Sequence, residues 1–379
     1  MGIKNDDQIY RKLQQYLDTL PIDHPETESG VEIRVLKHFF TPEEAEIALK
    51  LKIIPQEAKS LFRPFKKKNW TLDEVSEKLL IMAKKGSINW QKSDTGINLY
   101  GIIPLVIGSY DFQIDKLTKE FAQDFDQYCD EGFVSSMLEN GIMQVRTIPI
   151  EKSITIEHNI SNFDDIKSLI DNINTTIYVS PCICRQSKDI QGKGCNHPKE
   201  TCFTFGQGTR TLLDQGREVS KEETLDILQK AQEMGMVLCP SNTQKPVMIC
   251  CCCACSCMVL GNLKKFENPA QYINSNYFVE VNEDLCNGCG NCVSICPMNA
   301  NILTKNGLLS EVNLGNCIGC GVCVPNCPES ARKLVKKQQE WLPPKNFIEM
   351  YQVIANRKQE LIEKRKINKD YGVVKKITD

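Results

Sequence analysis

Nineteen of the twenty cysteines in this chain fall between Cys182 and Cys327, and only Cys129 lies outside that stretch. Thiolates are the soft ligands that suit zinc and iron–sulfur clusters, and they are reactive nucleophiles when left uncoordinated. The densest run is ICCCCACSC at 249–257, six cysteines in nine positions. Two other segments are regular, CNGCGNCVSICP from 286 and CIGCGVCVPNCP from 317. Each has the form CxxCxxCxxxCP, and the repeat 31 residues on marks an internal duplication. Three thiolates on one tight loop can hold three irons of a cubane, while the fourth reaches across to a neighbouring cube. That rule assigns Cys286, Cys289, Cys292 and Cys327 to one [4Fe–4S] cluster. It assigns Cys317, Cys320, Cys323 and Cys296 to a second. Gly288, Gly290, Gly319 and Gly321 let the backbone approach the clusters, and Pro297 and Pro328 redirect the chain after each fourth ligand. Zinc knuckles are the competing reading, since CxxC is also a zinc spacing. Two tandem four-cysteine runs, each closed by proline, favour iron.

Residues 278–335 resemble a bacterial-type two-cluster ferredoxin domain, with FVEVNEDLC and LLSEVNLGNC supplying the short strands that such a domain pairs. The resemblance implies one-electron transfer.

Upstream, PCICRQSKDIQGKGCNHPKETCFTFG at 181–206 supplies Cys182, Cys184, Cys195 and Cys202. TIYVSPCICR has the pattern of a buried strand ending at Pro181, which puts the CxC pair where a strand opens into a loop. SKEETLDILQKAQEMG is a helix, with Ser220 and Glu223 in capping-box spacing and Gly235 as its stop. If 250–257 is extended, Cys251, Cys253, Cys255 and Cys257 share one face and Cys250 and Cys252 the other. The order of a CxCR…GKxC…C…FG segment, a CCxC-type run and tandem cluster motifs resembles a family of ferredoxin-containing proteins of anaerobic bacteria and archaea. That resemblance implies architecture more than a specific activity. Against the family pattern, Cys251 replaces asparagine and Ser256 replaces cysteine, so these two positions are the least secure as ligands. Thiol density beside a ferredoxin-type segment favours one or two additional iron–sulfur clusters, held by Cys182, Cys184, Cys195, Cys202, Cys250, Cys252, Cys253, Cys255 and Cys257. A thiol–disulfide active site and a structural zinc site compete with it. Cys129 and Cys239 are expected to be inert buried residues, and His197 an ordinary loop residue. Arg185 either pairs with cluster charge or is a solvated surface arginine.

The elements that must position these thiols begin with helices. TPEEAEIALKL is capped by Thr41, Pro42 and Glu44, and PQEAKSLF suggests a second helix. TLDEVSEKLLIMAKKG starts at Thr71 and Glu74, with Leu72, Val75, Leu79 and Met82 on one face. A hairpin over INW, QKSDTG and INLYGIIPLVIG completes a winged helix-turn-helix arrangement. DNA binding would use Lys66, Lys67, Lys68, Lys84 and Lys85 on phosphates. Asp73, Glu74 and Glu77 at the front of the third helix argue instead for docking. Residues 109–150 suggest more helix, then an extended MQVRTIPI. The basic tail KNFIEMYQVIANRKQELIEKRKINK carries Phe347, Ile348, Tyr351, Ile354 and Leu361 as a seam expected to pack over the ferredoxin-type segment or on a partner.

A chain of 379 residues accommodates two or three domains, and a net charge of -2 gives no general pull toward nucleic acid or membrane. No signal-peptide core or long apolar run occurs, so a cytoplasmic protein is expected, and there reduced thiols bind metal rather than form disulfides. GQGTR at 206–210 has too few glycines for a dinucleotide fingerprint. The expected fold is α+β and multidomain: an N-terminal helix (1–29), a winged-helix-like domain (30–110), a helical connector (111–150), a cysteine-rich α/β domain (151–275), a two-cluster ferredoxin domain (276–335) and a basic helical tail (336–379). The expected function is relay of low-potential electrons, as a carrier or oxidoreductase subunit. Its expected partner is a ferredoxin-dependent or flavin/NAD oxidoreductase, with DNA possible but not favoured. A redox-sensing regulator and a reductase with its active site in 182–257 are the alternatives.

Overall fold

The computed structural model describes residues 7–155 and 158–370, without the side chains of Lys67, Lys305 and 367–370. Lys67, one of the expected phosphate contacts, therefore lies outside the described side chains, as do 1–6 and 371–379 of the expected terminal elements.

Apolar residues at helical spacing behind good caps build the amino-terminal third. α1 (Asp7–Asp18), α2 (Val31–Phe39) and α3 (Pro42–Ala48) bury Leu13, Val35, Leu36, Phe39 and Ile47 against one another. The Thr41 hydroxyl accepts from the Glu44 amide at 3.3 Å, and the Glu44 carboxylate accepts from the Thr41 amide at 2.8 Å. Then come β1 (Gln56–Glu57), α4 (Ala58–Leu61), α5 (Leu72–Lys84), β2 (Asn89–Lys92) and β3 (Asn98–Gly101). The strands form an antiparallel sheet of order β1-β3-β2. α5 starts at the expected capping box and buries Val75, Leu79 and Met82. α6 (Lys119–Tyr128) and α7 (Val134–Asn140) follow, with Phe125 stacked on Tyr110 at 3.6 Å between ring centroids.

The segment after α7 runs extended along the edge of the central sheet, bridging Val145 to Ser241 and Ile148 to Leu238. α8 (Ile166–Asp171), β4 (Ile177–Pro181), α9 (Ile183–Ile190), β5 (Glu200–Phe205), α10 (Thr209–Leu212) and β6 (Arg217–Val219) precede α11 (Lys221–Glu233). β7 (Val237–Pro240), β8 (Met248–Cys252) and α12 (Met258–Leu263) complete this part. The sheet is antiparallel, of order β6-β4-β5-β8-β7, and α11 carries the chain from one edge to the other. Ser220 caps α11 through the Glu223 amide, but the Glu223 carboxylate turns to Arg217 and leaves the capping box half closed. One sheet face packs Ile177, Val179, Phe203 and Ile249 under α8 and α11. Strand alternation sends the thiols of Cys202, Cys239, Cys250 and Cys252 to the other face, toward the amino-terminal helices, and leaves Cys251 on the α11 side.

The last sheets are two antiparallel ladders. β9 (Tyr277–Val281) pairs with β12 (Arg332–Lys336), and β10 (Asn301–Thr304) with β11 (Leu309–Val312), with α13 (Asn291–Ile295) between β9 and β10. A buried ion pair, Arg146–Asp164 at 2.6 Å, holds the Asn276 amide at 2.8 Å and joins this part to the connector.

The tail is one helix, α14 (Phe347–Asp370), but it does not cover the ferredoxin-type segment. It packs on α7 through buried Met350, Tyr351 and Ile354, whereas Ile348 of the expected seam is 55 % exposed. Asn140 donates to the Ile354 carbonyl, and the Lys358 ammonium reaches the carbonyls of Asp18 and Leu20 at 2.6 and 2.7 Å. The amino-terminal helices supply both the apolar groove and these acceptors, which is why the helix goes there. Ile354→Ala is expected to lower stability by about 2–5 kcal/mol in denaturant unfolding, because the side chain is fully buried. No described helix is long and apolar enough to cross a membrane.

Candidate metal centres

Strand register assembles the first group of thiols. Cys202 on β5 stands opposite Cys250 on β8, and Cys250 stands opposite Cys239 on β7, a row across three strands. The Cys202 and Cys250 sulfurs are 4.0 Å apart. Cys252, two residues on, touches Cys250, Cys239 and Cys257. Cys257, at the N-cap of α12, touches Cys184, which touches Cys182. Seven thiols thus form one connected set: Cys182, Cys184, Cys202, Cys239, Cys250, Cys252 and Cys257.

Two expectations are corrected. The CxC pair opens a helix rather than a loop, with Cys182 as N-cap of α9 and Cys184 in its first turn. The 250–257 run is not extended throughout: β8 ends at Cys252, and the Cys257 amide donates to the Cys253 carbonyl in a tight turn. Cys257 therefore rejoins Cys252, while Cys253 and Cys255 face elsewhere. Cys239 is buried as expected but stands in the thiol row. No local spacing marks it, because its thiol neighbours lie on β8. Cys251 faces the apolar core under α11, in keeping with its weak standing as a ligand, and burial pushes its thiol up to about 12.

Two buried guanidiniums flank these thiols. Arg210 donates to the Cys202 sulfur at 3.4 Å, with Asp111 nearby, and its Nη1 has no hydrogen-bond partner. Arg185, 2 % exposed, donates to the Cys251 carbonyl at 3.2 Å and the Cys253 sulfur at 3.5 Å, and to Thr201. It is no surface arginine. It has no carboxylate partner among the described residues, and burial alone would lower its pKa; only thiolates, at Cys182 and Cys253 foremost, would hold it up. As free thiols these cysteines would be neutral: contact with Cys184 and burial raise Cys182, and contact with Cys250 and burial raise Cys202. Buried cations need anionic partners. Metal-bound thiolates supply that charge, so the residues fit an anionic iron–sulfur centre.

A second group stands apart. Cys195 and His197, in the loop between α9 and β5, meet Cys253 and Cys255, in the turn after β8. Their four ligand atoms lie within 4.8 Å of one another. Burial pushes the Cys195 thiol up, but hydrogen bonds from Ser256 and His197 outweigh it and hold it at about 6. His197, expected to be an ordinary loop residue, belongs to this group. A lone histidine has no periodic signal, although CNH at 195–197 places it two residues from a cysteine.

The tandem motifs form two cavities. One is lined by Cys286, Cys289, Cys292 and Cys327, the other by Cys296, Cys317, Cys320 and Cys323. The duplication is visible in the hydrogen bonds. The Ala300 amide donates to the Cys296 sulfur at 3.2 Å, and the Ala331 amide, at the same offset, to the Cys327 sulfur at 3.3 Å. Gly319 has φ +66°, and a Cβ there would stand 2.0 Å from the Tyr277 carbonyl oxygen, so only glycine fits. The four thiols, the amides aimed at sulfur and the glycine turns all fit cubane clusters.

Residues 278–328 match the family model of the 4Fe-4S dicluster domain. This segment carries two [4Fe–4S] clusters. No curated protein and no solved structure matches the chain.

Just past the matched segment, Arg332 was not revealed by sequence spacing. It is 4 % exposed and lines the cavity of Cys286, Cys289, Cys292 and Cys327. Its guanidinium donates to Asn301 Oδ1 at 2.7 Å and to Ser310 Oγ at 2.6 Å, and lies 4.0 Å from the Cys323 sulfur. Because Ser310 accepts from arginine, its hydroxyl hydrogen is free for the Cys292 sulfur, 3.2 Å away. Arg332 thus reaches a cysteine of each quartet, Cys323 directly and Cys292 through Ser310.

Proposed function

We propose that this protein is a cytoplasmic iron–sulfur electron-transfer protein whose dicluster domain works with at least one further cluster on the central sheet. Cys182, Cys184, Cys202, Cys250, Cys252 and Cys257 are its proposed ligands there, with Cys239 beside them, and the eight motif cysteines hold the dicluster pair in the assigned quartets. The observation that carries this reading is the row Cys202–Cys250–Cys239, set against the incompletely partnered guanidiniums of Arg210 and Arg185. The clusters supply one-electron oxidation and reduction.

The chain's own residues support a direction. The Cys320 carbonyl accepts from the Ile150 amide at 3.0 Å, and Val322 packs into the core under α11. Met298 and Ile318 beside that quartet belong to the same apolar core as Cys239 and Cys257, which keeps water out between the centres. On the far side Cys289 is exposed, with Leu285, Leu303 and Leu308 exposed around it. Such a patch suits docking of a redox partner protein.

The amino-terminal helices and hairpin have the element order of a winged helix, and we read them as a docking module rather than a DNA reader. Lys68, Lys78 and Lys85 pair with Glu46, Glu43 and Glu44, and the hairpin lies on α10, where the Trp90 amide donates to Thr209 at 3.0 Å.

The test is iron and acid-labile sulfide on anaerobically purified full-length protein. About twelve irons or more per chain are expected, against about eight from the dicluster domain alone. Eight would overturn the further cluster. A reductase is the second reading, favoured by a cavity of about 320 Å³ that opens on Cys184, Cys255 and Cys257 beside Lys193 and the ion pairs Lys188–Asp126 and Lys265–Asp130. Reoxidation of the reduced protein by a small-molecule substrate, lost in Cys257→Ser, would select it.

A further inference from the structure

The set Cys195, His197, Cys253 and Cys255 is unlike the other thiol groups in one measurable respect. Among the described residues no other set of three or more thiol, imidazole or carboxylate ligand atoms lies mutually within 4.8 Å. The dicluster quartets, whose thiolates bind different irons, show no such convergence, and the thiols on the sheet meet in pairs, as Cys202 with Cys250 at 4.0 Å, rather than around one point. Ligands of one tetrahedral ion converge. With a Zn–S bond of about 2.3 Å, the edge of the tetrahedron is about 3.8 Å. The Cys195 and Cys253 sulfurs are 3.8 Å apart, and the Cys255 sulfur is 3.7 Å from His197 Nδ1.

We infer that these four residues bind a single zinc ion, separate from the iron–sulfur centres. This removes Cys195, Cys253 and Cys255 from the expected cluster ligands and adds His197. Three thiolates and one neutral imidazole on a divalent ion carry a net charge of about -1. Arg185, buried without a carboxylate and 3.5 Å from the Cys253 sulfur, is the matching cation. The Ser256 hydroxyl donates to the Cys195 sulfur at 3.3 Å, a further partner for a thiolate. All four positions are filled by protein, as in structural rather than catalytic sites.

The ion has a mechanical role. Residues 191–199 between α9 and β5 carry no regular structure, and zinc ties them to the turn that follows β8. That turn sets the course of the chain from Cys252 to Cys257, both members of the connected thiol set. Zinc therefore fixes the wall of the neighbouring centre without taking part in electron transfer.

The test is metal analysis and zinc-edge X-ray absorption on anaerobically purified full-length protein. About one zinc per chain is expected, with three sulfurs at about 2.3 Å and one nitrogen at about 2.0–2.1 Å. Zinc should be lost in Cys255→Ser and in His197→Ala with the dicluster signal retained. His197→Cys should keep zinc in an all-sulfur shell, and this variant guards against simple misfolding. Cobalt(II) added in place of zinc should give the visible bands of a tetrahedral thiolate site. Absence of zinc with a correspondingly higher iron content would overturn the inference, as would zinc retained in both Cys255→Ser and His197→Ala. Eight irons with one zinc would overturn the further cluster and leave this site standing.

Discussion

Arg332→Met is expected to lower the reduction potential of the dicluster domain by roughly 65–130 mV. The reduced clusters carry more negative charge, so a buried cation beside their ligands stabilises the reduced state. A hydrogen bond to a charged group contributes about 1.5–3 kcal/mol, and 59 mV corresponds to about 1.4 kcal/mol for one electron. The guanidinium is 4.0 Å from the Cys323 sulfur and reaches Cys292 through Ser310, so both quartets should respond. Asn301 and Arg332 each follow the last cysteine of a motif by five residues, so the duplication has placed an amide opposite a guanidinium at equivalent positions. Arg332→Lys keeps the charge but not the paired donors, and should shift the potential less. An EPR-monitored redox titration reads both variants. An unchanged or higher potential in Arg332→Met would show that the charge is compensated elsewhere.

The second large effect is expected at the sheet. The double variant Cys202→Ser, Cys250→Ser should lose about four irons per chain, while the dicluster EPR signal and zinc remain. The two thiols face each other across β5 and β8, and Arg210 leans on one of them. Removing their charge leaves Arg210 with Asp111 as its carboxylate partner but without the charged sulfur it donates to, a bond of about 1.5–3 kcal/mol, so a lower unfolding midpoint should accompany the iron loss. Unchanged iron in a folded double variant would mean that these thiols are not ligands, and thiol titration of the unmodified protein should then find them free.

Much of this was legible in the residues alone, and the parts that were share one property. Thr41 with Glu44, Thr71 with Glu74 and the CxxCxxC loops are each complete within a few positions, so the sequence by itself determined the capped helices and the dicluster motif. Even the crossing of each motif's fourth cysteine to the other motif's cavity follows from the duplication. The central cysteines are different. Whether Cys253 joins Cys252 or Cys195 depends on where β8 stops. Whether Cys239 matters depends on which strand pairs with β8, and β5 reaches it from 48 residues away. A one-residue slip in that register would turn Cys250 into the apolar core and Cys251 out of it. The tail shows the same limit: its apolar positions were readable, but the groove that receives them is formed by α7 and the start of the chain. His197 and Arg185 gain their meaning only from groups brought to them by the fold. Local spacing encodes a ligand set when the ligands share one loop. When a site is shared between a loop and a strand end, only tertiary pairing decides its members.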